Sequence, residues 1–188
     1  MFGSFPSGYL AGRITKGIDI RSLGSGSTGA TNVLRHIGKR AAFAVFLIDV
    51  FKGIFSIFLA KYFLLNDSWQ VAVGFSTLIG HIWPIWLNWK GGKAVATGLG
   101  IFLGLSWQVG LATLGIFILM ITLFRIVSLA SVSASIALPL IMFISFKESI
   151  ISLPYLVISL LAMTLVIWRH RENLSRLMKG KEPKIGRL

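Results

Sequence analysis

The sequence contains no cysteine, which excludes disulfide bonds, iron–sulfur clusters and thiol chemistry. Acidic residues are also few: 6 Asp and Glu stand against 19 Lys and Arg, which gives a formal net charge of +13. No cluster of acidic side chains suited to Mg²⁺ is present, so we predict neither a metal site nor a cofactor. Charged residues make up 13% of the chain, about half of the ~25% in soluble proteins. This composition argues against a soluble domain.

Several common catalytic motifs are missing as well. The sequence has no GxSxG motif, no Cys–His pair and no HxxxxD acyltransfer motif. It also lacks a GxxxxGK[ST] nucleotide loop, zinc-ligand spacing and an aromatic-rich nucleic-acid module, so nucleic acid is not an expected partner. If the chain is an enzyme, we expect it to hold anionic substrates in place without a protein nucleophile.

Long apolar runs fill most of the chain, and 55% of the residues are hydrophobic. Runs of this kind predict membrane-spanning helices, because a barrel would need short alternating segments. The charge-free run 94–124 would form a helix of about 46 Å, too long for one crossing, so we divide it at Ser106-Trp107-Gln108. The predicted spans are residues 41–65, 69–89, two short spans within 94–124, 127–146 and 150–168.

Residues 1–12 are too short to cross a bilayer and predict the cytoplasmic end of a first helix whose outer half is missing. The sequence therefore predicts an all-α polytopic membrane protein with about seven transmembrane helices, the first one truncated at its N-terminus. We expect residues 1–188 to form one domain.

Basic residues are concentrated on one side of this layout, before residue 41, after residue 168, and at Lys90, Lys93 and Arg125. The positive-inside rule assigns that side to the cytoplasm, which predicts a multi-pass membrane protein whose basic face is cytoplasmic. A basic face favours anionic lipid headgroups and phosphorylated substrates.

Two glycine-rich segments on this basic side predict anion binding. Residues 24–35 combine glycines, which let several backbone N–H groups face one anion, with hydroxyl donors and the guanidinium of Arg35. Gly91, Gly92 and Lys93 directly precede a predicted helix, whose N-terminus favours an anion. Taken singly, the first segment is equally well explained as a flexible loop, and Lys93 as a lysine that extends towards the interface.

Further polar residues lie near or within the predicted spans. Ser128 and Ser131 share one helix face near Arg125, although such serines usually bond to their own backbone. Asp49 and Lys52 lie within a span at i,i+3, and we expect them to pair, in a role more structural than chemical. His81 is interpreted as a packing residue.

Seven motifs, in this order and over nearly the whole chain, resemble those of the integral membrane acyl-phosphate:glycerol-3-phosphate acyltransferases of bacteria. The motifs are GSFPSGY (3–9), GSG with GATNVLR (24–26 and 29–35), LIDVFKG (47–53), GHIWP (80–84), GGK with Ala96-Thr97 (91–93), VSLAS (127–131) and RHREN (169–173).

The resemblance implies transfer of a fatty acyl group from acyl phosphate to the 1-hydroxyl of glycerol 3-phosphate. The products are lysophosphatidic acid and phosphate, at the first step of phospholipid synthesis. The resemblance also implies a site on the cytoplasmic side of the bacterial inner membrane, which contains anionic lipids. The catalytic residues implied are Ser25, Arg35, Lys93, Ser128, His170 and Asn173. The substrate-binding residues expected are Gly24, Gly26, Ser27, Thr31, Asn32, Gly91 and Gly92. Glu172 is interpreted as structural.

A mixed anhydride is already activated, so two phosphate-bearing substrates mainly need cations to offset their repulsion. We assign Arg35 and Lys93 to the phosphates, and Ser25, Ser128 and Asn173 to orientation. The proton acceptor is either the acyl phosphate itself or His170.

The chain departs from the family pattern at Ser27, where asparagine is usual, at Ala94, where glycine is usual, and in its short start. Two other functions stay open. A transporter or channel for phosphate-bearing solutes would favour polar residues that reach the outer leaflet and internal repeats, and neither is evident. A non-catalytic subunit that binds anionic lipid would explain the basic face but not the glycines.

Overall fold

The computed structural model describes residues 2–186, and within them the chain forms nine α-helices and no strand. The helices are α1 (Ser7–Lys16), α2 (Ala30–His36), α3 (Lys39–Tyr62), α4 (Asp67–Ile82), α5 (Val95–Leu105), α6 (Trp107–Phe124), α7 (Val127–Lys147), α8 (Leu153–Arg169) and α9 (Arg171–Met178). Short 3-10 helices cover Phe2–Ser4, Ile20–Ser22 and Ile85–Leu87.

The prediction of an all-α membrane protein is confirmed, but the count of seven spans is not. Within the described residues, four segments are long and apolar enough to cross a membrane: α3, α4 with its following turn, α6 and α7. The pair α8 and α9, bent by 58°, would add a fifth. The helices α1 and α5 have only 10 and 11 residues. Large apolar side chains such as Phe58, Leu119 and Ile144 are exposed, as expected for a lipid-facing surface.

The predicted break in the run 94–124 is confirmed. Helix α5 ends at Leu105 and α6 begins at Trp107, with Ser106 in an extended conformation between them (φ −148°, ψ 103°). Two segments predicted only as polar and basic contain short helices, α2 in the first and α9 in the tail. Both are short, with 7 and 8 residues, so the hydropathy pattern gave no sign of them.

The close contact between α3 and α5 depends on small residues. A side chain at Gly53 would overlap the backbone of α5, and a side chain at Gly100 would overlap the carbonyl of Val50. Glycine at such positions lets the two helix backbones approach closely, as is common between membrane helices. Apolar side chains of α3, α4, α5, α7 and α8 form the main core beside this contact.

A second, smaller core fixes the first loop onto α3. Ile20 and Val33 are fully buried and pack with Ala42 and Val45 of α3. Because of this packing, α2 and the loop before it lie beside the ends of the membrane helices.

Candidate active site

A polar cavity of about 140 Å³ lies where α4 and α8 end and where α5 and α7 begin. All six residues predicted to be catalytic line it: Ser25, Arg35, Lys93, Ser128, His170 and Asn173. Ser27, Thr31 and Asn32 also line it, whereas Gly24, Gly26, Gly91 and Gly92 do not. The two cations assigned to phosphate, Arg35 and Lys93, therefore face one cavity.

Asn32 determines the shape of the first loop. It is 2% exposed, and its amide nitrogen donates to the loop carbonyls of Ile20 (3.1 Å), Leu23 (3.1 Å) and Ser27 (2.9 Å). Its Oδ1 atom accepts the backbone N–H of Ser25 at 3.3 Å. Gly24 and Gly26 adopt the left-handed conformations that this turn requires (φ +56° and +65°). Asn32 thus holds Ser25 at the cavity by internal bonds.

The second glycine segment uses its amides within the protein. The N–H groups of Gly91 and Gly92 donate to the carbonyls of Ile82 and His81, both at 3.1 Å, because the loop folds back on the end of α4. Ala94, Val95 and Ala96 line the cavity instead, at the N-terminus of α5. The first N–H groups of a helix have no acceptor within the helix, so this end favours an anion.

Lys93 is held by Asn173. Its Nζ atom donates to the Oδ1 atom of Asn173, which connects the second loop to α9. Burial lowers the pKa of Lys93 to about 8, and the carboxylate of Glu182 partly opposes that shift. The ammonium group therefore remains mainly protonated at pH 7.

The sequence interpretation missed Glu182, which is a central residue of the cavity wall. Its Oε1 atom accepts hydrogen bonds from Ser128 (2.9 Å) and from the amide nitrogen of Asn173 (2.6 Å), and its Oε2 atom accepts one from Arg176 (2.8 Å). Burial raises the pKa of Glu182, but these hydrogen bonds outweigh it, so the pKa lies below its usual value. Glu172, which we expected to be structural, is exposed on α9.

The ring of His170 is oriented by the backbone. Its Nδ1 atom lies 2.8 Å from the carbonyl oxygen of Val166, which only accepts hydrogen bonds, so Nδ1 carries a proton. In the neutral ring, Nε2 is then free to accept a hydrogen bond or a proton.

The predicted pairing of Asp49 and Lys52 is confirmed, at 2.8 Å. Ser7 of α1 donates to the same carboxylate oxygen at 2.7 Å. Lys52 also lies 2.7 Å from Nδ1 of His81, and both His81 and Asp49 line the polar cavity. The buried ion pair of Asp49 and Lys52 therefore lies at the wall of the polar cavity.

A second cavity of about 100 Å³ adjoins the first. The residues that line both are Phe46, Ala94, Val95, Ala96, Phe117 and Ser131. The rest of its lining is mainly apolar and includes Leu78, Phe102 and Leu138. A molecule with an anionic head and an alkyl chain fits this arrangement.

Known proteins that are similar to this chain share one description. Residues 1–180 match the family described as glycerol-3-phosphate acyltransferase. A glycerol-3-phosphate acyltransferase of Prochlorococcus marinus (strain NATL1A) is 85% identical over 186 residues, which cover 99% of this chain and 94% of the relative. Another from Prochlorococcus marinus (strain MIT 9211) is 62% identical over 186 residues, with 99% and 90% covered.

Two solved structures are also similar. The crystal structure of PlsY (YgiH), an integral membrane glycerol 3-phosphate acyltransferase, in its glycerol 3-phosphate form has a TM-score of 0.91 and 34% identity. The match covers 98% of this chain and 90% of that one. Its lysophosphatidic acid form has a TM-score of 0.87. The chain therefore belongs to the glycerol-3-phosphate acyltransferase family.

Proposed function

We propose that this acyltransferase takes its acyl group from acyl phosphate and transfers it to the 1-hydroxyl of glycerol 3-phosphate. The observation that carries the proposal is the junction of the cavity facing Arg35 and Lys93 with the adjoining apolar cavity. The glycerol 3-phosphate and lysophosphatidic acid forms of PlsY support the same acceptor and product for this chain. No comparison supports the transporter alternative.

The proposed reaction forms one bond and breaks one bond at the acyl carbonyl carbon. The hydroxyl oxygen of glycerol 3-phosphate forms a bond to the acyl carbonyl carbon, and the bond from that carbon to the phosphate oxygen breaks. The products are lysophosphatidic acid and inorganic phosphate. Because the anhydride is already activated, the protein needs to align the reactants and to offset their charge.

Arg35 and Lys93 supply the offsetting charge. Two phosphate groups in one site repel, and the repulsion is larger where water is partly excluded. The partial positive charge at the N-terminus of α5 adds to the two side chains. Asn173 keeps Lys93 in place, so its role here is to position the cation.

Ser25 and Ser128 orient the hydroxyl in this proposal. Ser128 already donates its proton to Glu182, so its oxygen is left to accept a hydrogen bond from the substrate. The hydroxyl proton passes to the released phosphate or to Nε2 of His170. A pH–rate profile of His170→Gln decides between them, because an unchanged kcat and profile would exclude His170 as the base.

We further propose that residues 1–188 act as one domain in the bacterial inner membrane, with the cavity facing the cytoplasm. The basic residues on the cavity side of the helices support this orientation and an anionic lipid surface.

Purified protein in detergent tests the donor. Phosphate release that requires both acyl phosphate and glycerol 3-phosphate is the expected result, and activity with acyl-CoA alone as donor would contradict it. We expect Arg35→Ala to raise the KM for a phosphate-bearing substrate at least tenfold, whereas Arg40→Ala, at an exposed position in α3, serves as the matched control.

A further inference from the structure

We infer that Asp49 binds glycerol 3-phosphate in this site, through a hydrogen bond that its Oδ2 atom accepts from the 2-hydroxyl group of the substrate. This contact makes the site specific for an acceptor that carries a second hydroxyl beside the one that reacts. The inference deepens the proposed function and rests on the polar cavity being its substrate site.

Asp49 lies at the polar cavity, level with the start of α5. It is 2% exposed and lines the cavity. A side chain at Gly53, one turn further along α3, would overlap the carbonyl oxygen of Thr97, and one at Gly104 would overlap Ile57, so α3 and α5 run in the same direction. Asp49 is therefore close to the N-terminus of α5, which favours the phosphate of a substrate.

The two carboxylate oxygens of Asp49 have different surroundings. Oδ1 accepts a hydrogen bond from Ser7 at 2.7 Å and lies 2.8 Å from the ammonium nitrogen of Lys52. Oδ2 has no hydrogen-bond donor within residues 2–186. The fully enclosed polar atoms that lack a partner in this range do not include Oδ2, so this oxygen opens into the cavity that Asp49 lines.

The other acid at the cavity has no such oxygen. In the part of the chain that the structure describes, Asp49 and Glu182 are the acids that line the polar cavity. Both oxygens of Glu182 already accept hydrogen bonds from protein side chains. An ionised carboxylate only accepts hydrogen bonds, so the ligand of Asp49 Oδ2 is a group that donates.

Glycerol 3-phosphate carries this donor. The phosphate and carbonyl oxygens of the two substrates accept hydrogen bonds, and the cations of the site suit them. The reacting 1-hydroxyl already has acceptors in the proposed mechanism, so the 2-hydroxyl is the donor that still needs one. The ammonium group of Lys52 offsets the charge of the Asp49 carboxylate, which reduces its repulsion of the phosphates.

Kinetics with two acceptors test the contact. The analogue 3-hydroxypropyl phosphate keeps the reacting hydroxyl and the phosphate but lacks the 2-hydroxyl. We expect the wild-type kcat/KM to be at least about tenfold higher for glycerol 3-phosphate than for the analogue. In Asp49→Leu combined with Lys52→Met, which replaces the buried pair by apolar side chains, we expect the two values to agree within about threefold.

Asp67→Asn, at the other end of α4, is the control and should keep the wild-type ratio of the two values. A wild-type ratio near one would overturn the inference. An unchanged ratio in the double variant would also overturn it, because an equal loss with both acceptors indicates a structural role or a role at the reacting proton.

Infrared difference spectroscopy of the full-length protein tests the contact without turnover. The sequence contains three aspartates, so carbon-13 labelling of their carboxyl groups isolates few bands. We expect saturating glycerol 3-phosphate to shift a carboxylate band, the analogue to leave it in place, and the shift to be absent in Asp49→Asn. No shift, or a shift that persists in Asp49→Asn, would overturn the inference. An enzyme that shows the shift but ignores acyl phosphate would contradict only the proposed donor.

Discussion

At the scale of single residues, Glu182 joins three donors that come from different parts of the chain. Ser128 lies in the first turn of α7, Asn173 and Arg176 lie in α9, and all three donate to its carboxylate. Hydrogen bonds to a charged acceptor contribute about 1.5–3 kcal/mol each. The geometry of the cavity therefore depends on the carboxylate of Glu182 as well as on the cations.

We expect Glu182→Ala to lower both the thermal midpoint and the activity, the latter at least tenfold, because Ser128 and Asn173 lose their acceptor. Thermal unfolding in detergent and an initial-rate assay measure the two effects. Glu172→Ala removes an exposed carboxylate from the same segment and is the matched control. Wild-type behaviour of Glu182→Ala would contradict this role.

The lowered pKa of Lys93 predicts that substrate binding depends on pH. Burial lowers its pKa to about 8, so the cation is present below that pH and is lost above it. We expect kcat/KM to fall about tenfold per pH unit on the alkaline side. Lys93→Arg should remove this alkaline limb, because arginine stays charged.

Two further variants make the assignment specific. Lys90→Arg changes an exposed lysine of the same loop and should leave the limb at its wild-type pH. Glu182→Gln should move the limb to lower pH, because the carboxylate raises the pKa of Lys93. If the alkaline limb persists unchanged in Lys93→Arg, it belongs to another group.

Ala94 is in a left-handed conformation, with φ at +60°, and is 1% exposed. Alanine pays about 1–2 kcal/mol there relative to glycine, whereas glycine in a helix interior costs about 1 kcal/mol relative to alanine. We expect Ala94→Gly to be more stable than Ala96→Gly, a change within α5, by roughly 2–3 kcal/mol. Thermal midpoints of the two variants test this, and the reverse order would contradict it.

Arg35 and Lys93 were predicted from the sequence, whereas Glu182 was not. Arg35 and Lys93 lie in glycine-rich motifs, whose composition already suggests an anion site. Glu182 is a lone acid in a basic tail, and its role depends on a fold that brings the tail beside α7. His81, which the sequence analysis interprets as a packing residue, is buried and lies within hydrogen-bond distance of Lys52.

At the scale of helices, hydropathy identified the long spans and the break at Ser106, because a charge-free run too long for one crossing must bend or divide. The short helices α2 and α9 were not predicted. Their polar composition gives no membrane signal, and each is stabilised by packing or hydrogen bonds to distant parts of the chain. A sequence pattern shows only local preference, whereas short helices depend on tertiary packing, so the pattern did not predict them.

Side chains of α7 line the apolar cavity, and we expect them to limit the length of the acyl chain that binds there. Ser131 lies where the two cavities meet, and Ala134, Ser135 and Leu138 line the apolar one further along the helix. We expect Ala134→Phe to lower kcat/KM for long-chain acyl phosphates at least tenfold more than for short-chain ones, because the ring narrows the apolar cavity.

Leu140→Phe is the matched control, because Leu140 is 62% exposed on the same helix. A series of acyl phosphates of increasing length measures the effect. An equal loss at every length would indicate general damage to the site and contradict the prediction.

At the scale of the whole molecule, the site lies at one end of the helices and the loop between α7 and α8 lies at the other. The absence of cysteine makes single-cysteine variants possible in the natural background. With an impermeant maleimide on right-side-out vesicles, we expect Glu148→Cys to be labelled and Lys179→Cys to be labelled only after permeabilisation. Both positions are exposed, and the opposite pattern would reverse the proposed orientation.

The cavity receives its walls from both halves of the chain: residues 25–35 and 93–96 on one side, and residues 128, 170, 173 and 182 on the other. The tail is also tied to the α6–α7 junction, where the N–H of Ile185 donates to the carbonyl of Arg125 at 2.8 Å. The ribosome synthesises these segments in order. A nascent chain whose first helices are already in the bilayer therefore still lacks residues 128, 170, 173 and 182 of the cavity wall. We therefore expect a chain truncated before residue 170 to insert into the membrane without acyltransferase activity.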